Sequence, residues 1–128
     1  MRVERIPADV RRVVVTEAKR YYALKRRLKE IDRDILYSSG GAGGSGMPGQ
    51  PTEQKALRLI QRKEKIEREL ETIEAAFDSL PRKARAAVKK NICEGVRMDS
   101  IMSPLSARQI RRYRREFILK LAELMGEM

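Results

Sequence analysis

Apolar side chains recur at intervals of three and four residues through most of the chain. Between residues 8 and 36 they fall at Val10, Val14, Tyr21, Leu24, Leu28, Ile31 and Ile35, with Glu17 out of step. A period near 3.6 gathers such positions into one stripe, so the pattern predicts a single long helix over 8–36. Pro7 suits its first turn, and Asp9 places negative charge at its N-terminus. A second series, Ala56, Leu59, Ile66, Leu70, Ile73, Phe77 and Leu80, predicts another long helix ending near Ser79. Thr52 is its N-cap candidate and Lys63 its one misfit. Helices this long need a partner for their stripes, because isolated helices gain too little from propensity alone.

Residues 38–51 separate the two series and hold six of the chain's eight glycines, which predicts a flexible connector rather than helix. Its glycine spacing matches neither a Walker loop nor a dinucleotide-binding turn. Leu80-Pro81 marks a boundary, since proline disfavours helical geometry in the residue before it and suits the start of a new helix. The pattern then predicts three short helices. The first, 81–94, carries Ala84, Ala87, Val88, Ile92 and Cys93 inward and ends at Gly95. The second spans about two turns within 96–102. The third, 106–125, is capped by Ser106, carries Ile110, Tyr113, Phe117, Leu121 and Leu124 inward, and ends at Gly126.

The expected fold is therefore all-α, a long antiparallel helical hairpin of coiled-coil character followed by a C-terminal three-helix helix-turn-helix. The expected domains are 1–79, an oligomerisation region containing the linker 38–51, and 80–128, the helix-turn-helix. The pattern leaves open whether the long helices pair within one chain or between chains.

Charge adds direction to this frame. The net charge is +11, from 29 basic and 18 acidic residues. Residues 1–36 hold eleven basic and six acidic groups, residues 51–81 six and seven, and residues 82–128 twelve and five. Opposite charge on the two long helices favours their pairing. A basic surplus of this size favours a polyanionic partner, nucleic acid before an anionic membrane surface. The chain has no histidine and a single cysteine, Cys93, which excludes an intramolecular disulfide and fits a reducing, cytoplasmic setting. Without histidine most metal sites and general acid–base arrangements drop out, so no cofactor, metal site or catalytic residue is expected and the chain reads as a non-enzyme. No signal peptide is expected, and no apolar run approaches the ~20 residues of a membrane span.

The sharpest local signal is five arginines within eight residues: Arg108, Arg111, Arg112, Arg114 and Arg115. In a helix starting after Ser106, residues 107–112 occupy the first turns, where major-groove readers place their base contacts. Arginine can hold guanine in bidentate fashion, and glutamine adenine. Ala107, Arg108, Gln109, Arg111 and Arg112 are thus the candidate base-facing residues, and Arg114, Arg115, Lys89 and Lys90 the candidate phosphate contacts. The blander alternative is a solvated basic helix face. Five neighbouring arginines repel one another without a counter-anion, which favours the binding reading. RNA remains possible on charge alone, but no exposed aromatic platform is evident.

Leu80-Pro81, the Glu94-Gly95 turn and Leu105-Ser106 followed by Ile110-Arg111-Arg112 resemble region four of bacterial sigma factors. Ile35 to Ser39, Gly46 to Gly49, Pro51 to Leu57, Arg111 to Arg115 and Leu121 to Gly126 are similar to phage late-gene transcriptional regulators of the RinA/ArpU type. The resemblance spans nearly the whole chain through short, degenerate motifs. It implies a DNA-binding regulator that activates phage packaging or lysis genes. The implied reader inserts helix 106–125 into the major groove of double-stranded DNA, as a homo-oligomer with a dimer favoured. RNA polymerase is a possible partner, and the setting is the nucleoid of a bacterial host. The chain departs from the pattern at Asp99, Ser100 and Ser103-Pro104, where such domains carry Ile-Ala and then Leu. The alternative reading is a DNA-packaging component similar to a small terminase subunit.

Overall fold

The computed structural model describes residues 5–40 and 50–128, with the side chains of 38–40 and 50–52 left aside. Every regular element among the described residues is helical. The α-helices are α1 (Ala8–Lys19), α2 (Tyr21–Gly40), α3 (Gln50–Asp78), α4 (Arg82–Cys93) and α5 (Ala107–Leu124), and one 3-10 turn spans Met98–Ser100. The glycine-rich connector falls at 41–49 outside the described residues.

The expected helix over 8–36 is two helices. Arg20 ends α1 with φ −77° and ψ −5°, so the residue stays near helical geometry but breaks the ladder. Its N–H turns to the Glu17 carbonyl at 3.0 Å, and its guanidinium pairs with the Glu17 carboxylate at 2.7 Å. Glu17, out of step with the apolar stripe, is thus part of this junction. Ser38, Ser39 and Gly40 continue α2 rather than belonging to a connector. At the other side α3 already begins at Gln50, so Thr52 lies inside the helix and is not its cap. Pro7 and Pro81 both occupy the cap position itself, immediately before α1 and α4.

The chain forms two compact units. One comprises residues 23–70. Its apolar interior draws on Leu24 and Ile31 from α2 and on Leu59, Ile66 and Leu70 from α3, all buried. Lys63 bridges the helices by an ion pair to Asp32 at 2.8 Å, and that hydrogen bond raises the lysine's pKa. The misfit of the second stripe is a cross-helix contact. Leu36, Tyr37, Leu57 and Ile60 of this unit are exposed.

The other unit joins residues 1–22 to residues 71–128 and so contains the expected boundary at 79/80 in its interior. Its three mutually contacting helices are α1, α4 and α5. The helical pair of turns expected in 96–102 is absent: only Met98–Ser100 is wound, and Arg97 and Ile101 on either side are extended. Asp99, Ser100 and Ser103 offer few apolar positions for a packed stripe, and Pro104 removes a donor just beyond. The third helix of this core comes instead from α1, through Val14 and Ala18. Ala84, Ala87, Val88 and Ile92 supply the α4 side, and Ile110, Phe117, Ile118, Leu121 and Ala122 the α5 side. Phe117 lies stacked on Phe77 with centroids 4.2 Å apart, and Tyr21 meets Phe77 edge-on at 6.0 Å.

Capping groups close the ends of these helices. Arg85 donates from Nε to the Leu80 carbonyl and from Nη2 to the Asp78 carbonyl, both at 3.1 Å, so the carbonyls at the end of α3 are satisfied by α4. Gly95, at φ +72°, reverses the chain after α4, and the Val96 N–H then reaches the Lys90 carbonyl at 3.1 Å. The Asn91 amide donates to the Val96 carbonyl at 2.9 Å and holds the same turn. Gly126, at φ +76°, ends α5 in a Schellman motif, with N–H bonds from Glu127 to Ala122 and from Gly126 to Glu123.

Candidate nucleic-acid interface

The basic site is assembled on α5. Ser106 starts this helix with a complete capping box: its hydroxyl accepts from the Gln109 N–H at 3.2 Å, and its own N–H donates to Gln109 Oε1 at 2.9 Å. Gln109 therefore already uses the amide oxygen that a bidentate adenine contact needs. The side chain is exposed, and its NH2 group and the second lone pair of Oε1 remain to be engaged from the position the cap dictates.

The arginines of α5 divide between two faces. Arg108 and Arg112 are exposed, and the Arg112 guanidinium lies 5.8 Å from the centre of the Tyr113 ring. Arg111 and Arg115, which are exposed as well, and the half-buried Arg114 line a cleft of about 480 Å³ with Arg5 and Arg11. Ile6, Met98 and Ile118 form its apolar lining. A neighbouring groove of about 350 Å³ shares Arg11 and Arg114 and runs along α1 past Ala8, Arg12, Val15, Thr16 and Lys19. Among the described residues no carboxylate lines either depression.

The division follows from which stripe of α5 is buried. Tyr113 is only half-buried and Leu124 is exposed, while Ile118 and Ala122 are buried in their stead. The inward face is thus rotated from the expected one. Arg114 falls four residues after Ile110 and four before Ile118, on the line those two isoleucines define. It is half-buried, and its pKa is lowered first by desolvation and then by the nearby Arg11.

The α4 lysines are placed differently. Lys89 sits over two rings, with Nζ 5.0 Å from the centre of Tyr21 and 5.2 Å from that of Phe77. That cation–π placement holds its ammonium in the core's rim rather than presenting it freely to a phosphate. Lys90 is half-buried, as is Ala107. The structure brings together Arg111, Arg114 and Arg115, leaves Arg108 and Arg112 on the open side, and adds Arg5, Arg11, Arg12 and Lys19, which the sequence pattern did not single out. The signal for these was present: residues 8, 11, 12, 15, 16 and 19 follow a helical stripe beside the Val14–Ala18 stripe.

Cys93 is half-buried on α4, and its thiol donates to the Ala18 carbonyl at 3.4 Å. Burial pushes its pKa up to about 11 despite the Lys89 charge, and Glu94 adds to the rise. Tyr22, whose hydroxyl donates to Glu94 at 3.0 Å, is raised to about 12, chiefly by desolvation and then by that hydrogen bond. A thiol held protonated is a poor nucleophile. Among the described residues no three His, Cys, Asp or Glu side chains gather as a metal site requires. No helix among them is long and apolar enough to cross a membrane. Comparison of the chain with family models, curated proteins and solved structures gives no match.

Proposed function

We propose that the chain is a sequence-specific DNA-binding transcriptional regulator in which α5 meets double-stranded DNA. The observation that carries this reading is the concentration of five arginines on the first half of α5, a helix capped at Ser106 and anchored by Phe117. Arg108 and Arg112 have the exposure a groove-facing pair needs, with Ala107 beside them, and the Arg111–Arg115 side supplies charge for the backbone. Gln109 serves the cap first and contributes to base contact only as far as its capping position allows. Lys89 and Lys90 contribute to the positive field from the rim of the core.

The finer parts of the proposal follow from the resemblance to the RinA/ArpU type. They are activation of phage late, packaging or lysis genes in a bacterial cytoplasm, contact with RNA polymerase, and dimerisation through the long helices. Exposed Leu36, Tyr37, Leu57 and Ile60 on α2 and α3 support self-association. The same residues also support a second reading, a DNA-packaging component that assembles into a ring as a small terminase subunit does. Light scattering separates the two, since a dimer favours the regulator and a ring of many subunits the packaging component.

The decisive test is duplex binding across a salt series. The logarithm of affinity is expected to fall linearly with the logarithm of salt, by roughly −0.9 per neutralised phosphate. Arg108→Ala or Arg112→Ala is expected to cost about 1–3 kcal/mol on the selected site and much less on random DNA. Affinity indifferent to salt would sink the phosphate-neutralising reading. Equal loss on both DNAs would reduce the two arginines to backbone contacts.

A further inference from the structure

Leu36 on α2 and Leu57 and Ile60 on α3 are exposed apolar side chains of the unit formed by residues 23–70. Two cross-helix contacts fix how these positions align. The Tyr21 hydroxyl donates to Glu74 at 3.2 Å, and Lys63 pairs with Asp32 at 2.8 Å. Eleven residues up α2, from Tyr21 to Asp32, match eleven residues down α3, from Glu74 to Lys63, so the two helices run antiparallel in a constant register. On that register Leu36 is level with Leu59, between Leu57 and Ile60. Lys29 is level with Ile66, between Glu64 and Glu67.

The Asp32–Lys63 pair also marks one flank of these two helices. At about 100° per residue, Leu36 and Lys29 fall about 40° and 60° round α2 from Asp32, in the sense away from the buried Leu24 and Ile31. On α3, Glu67 and Ile60 fall about 40° and 60° from Lys63, and Glu64 and Leu57 about 100° and 120°, again away from the buried Leu59, Ile66 and Leu70. Glu67 adds to the rise of the Lys63 pKa, after the larger effect of Asp32, as a carboxylate on that flank does. One flank thus carries an apolar end, Leu36 with Leu57 and Ile60, and further along it a lysine on α2 level with two glutamates on α3. This surface complements itself. A two-fold axis parallel to the helices keeps every residue at its own height and lays α2 of one chain over α3 of the other. Leu36 then meets Leu57 and Ile60 of the second copy, and Lys29 meets its Glu64 and Glu67. An axis across the helices would instead send the two apolar ends apart. We propose that this flank is a homodimer interface, in which two copies of α2 and α3 pair with their apolar ends together as a four-helix bundle. The pairing deepens the proposed self-association, rests on it, and is independent of DNA binding. It narrows the exposed apolar set, because Tyr37 lies about 100° further round α2 than Leu36 and off the flank.

The test measures the mass of the full chain by analytical ultracentrifugation over a protein concentration series, without DNA. The parent is expected to be a dimer that dissociates on dilution. Leu57→Ser is expected to raise the dissociation constant by about tenfold or more, since the leucine is lost twice in a two-fold pair. Tyr37→Ser is expected to leave it unchanged. Two charge variants are made as separate proteins, one carrying Lys29→Glu and the other Glu64→Lys with Glu67→Lys. Each alone is expected to self-associate about tenfold more weakly, because like charges then oppose one another. Mixing the two restores dimers, because each reversed charge meets its complement on the other chain. Apart from Glu67, which is half-buried, every substituted position is exposed, so the buried stripes stay whole. A monomeric parent would overturn self-association itself and this pairing with it. A parent dimer that Leu57→Ser and both charge variants leave unmoved would keep self-association and place its surface elsewhere. Charge variants that weaken alone and are not restored by mixing would refute the pairing of α2 with α3 of the second copy, since damage within each chain is not repaired by mixing. A ring of many subunits would overturn the closed two-fold pair.

Discussion

Replacing Phe117 by alanine tests whether α5 is aimed by the core beneath it. Phe117 is 0% exposed and stacks on Phe77 at 4.2 Å with 25° between the ring planes. Truncating a buried phenylalanine costs about 3–5 kcal/mol, part transfer and part cavity. The ring pair itself adds about 0.5–1.5 kcal/mol of coupling, so Phe117→Ala and Phe77→Ala together should cost less than their sum by that amount. A chain of 128 residues has a total stability of about 6–19 kcal/mol. Loss at the upper end of the mutational range would therefore leave a chain at the lower end of the stability range with only about 1 kcal/mol. Urea titrations of the four proteins of the double-mutant cycle measure the loss, with an unchanged m-value required for the comparison. Phe117→Leu is expected to recover about half the loss, because it refills much of the cavity without restoring the stack. Phe117→Ala costing under 1 kcal/mol would place the ring outside the core, and strict additivity of the two truncations would deny the stack any energetic role.

Ser106→Ala is expected to cost about 1 kcal/mol by removing the N-cap acceptor, whereas Gln109→Glu should stay within a few tenths because a glutamate completes the same box. Equal urea midpoints for both variants would deny the capping box. Gly95→Ala should destabilise by about 1 kcal/mol in thermal unfolding, through the positive φ alone, because an added Cβ meets nothing within 4 Å. Cys93 should react with a maleimide far more slowly in the folded chain than in urea at neutral pH. Its folded pKa of about 11 stands above the ordinary 9.0, so the thiol's contribution to stability is whole below about pH 9. That contribution is lost as pH rises towards 11, and the stability gap between the parent and Cys93→Ala should narrow across that window. A gap that widens would reverse the sign assigned to the shift.

The all-α class was legible because three- and four-residue spacing leaves little room for another reading. The break at Arg20 was not. It involves neither glycine nor proline, and Tyr21 continues the apolar stripe as though no junction existed. The short second helix expected in 96–102 depended on Val96, Met98, Ile101 and Met102 as apolar positions. The interleaved Asp99, Ser100 and Ser103 weighed more, and Met102 stands 90% exposed. In α5, Ile110, Phe117 and Leu121 belong to two neighbouring stripes at once. Local spacing cannot choose between a stripe completed by Tyr113 and Leu124 and one completed by Ile118 and Ala122. Tertiary packing chose the second: α1 lies against α5 with the small interior residues Val14 and Ala18.

That choice moves the chemistry as well as the packing. With Tyr113 and Leu124 inward, Arg114 would be one more solvated charge and the five arginines would form a single broad face. With Ile118 and Ala122 inward, the face splits. Arg108 and Arg112 keep the open side, while Arg111, Arg114 and Arg115 meet Arg5 and Arg11 across a cleft. A rotation of α5 by one stripe thus half-buries Arg114 and sets the three arginines that line the cleft apart from Arg108 and Arg112. The helix that completes the cluster ends at Lys19, far before α5 begins at Ala107, beyond any local pattern. α1 contributes both the buried Val14 and the arginine beside Arg114, so weakening the Val14 contact should loosen the seat of α5 in the core. Val14→Ala is expected to cost about 1–3 kcal/mol of stability through lost burial, read as a lower urea midpoint, and an unchanged midpoint would place Val14 outside the packing that orients α5.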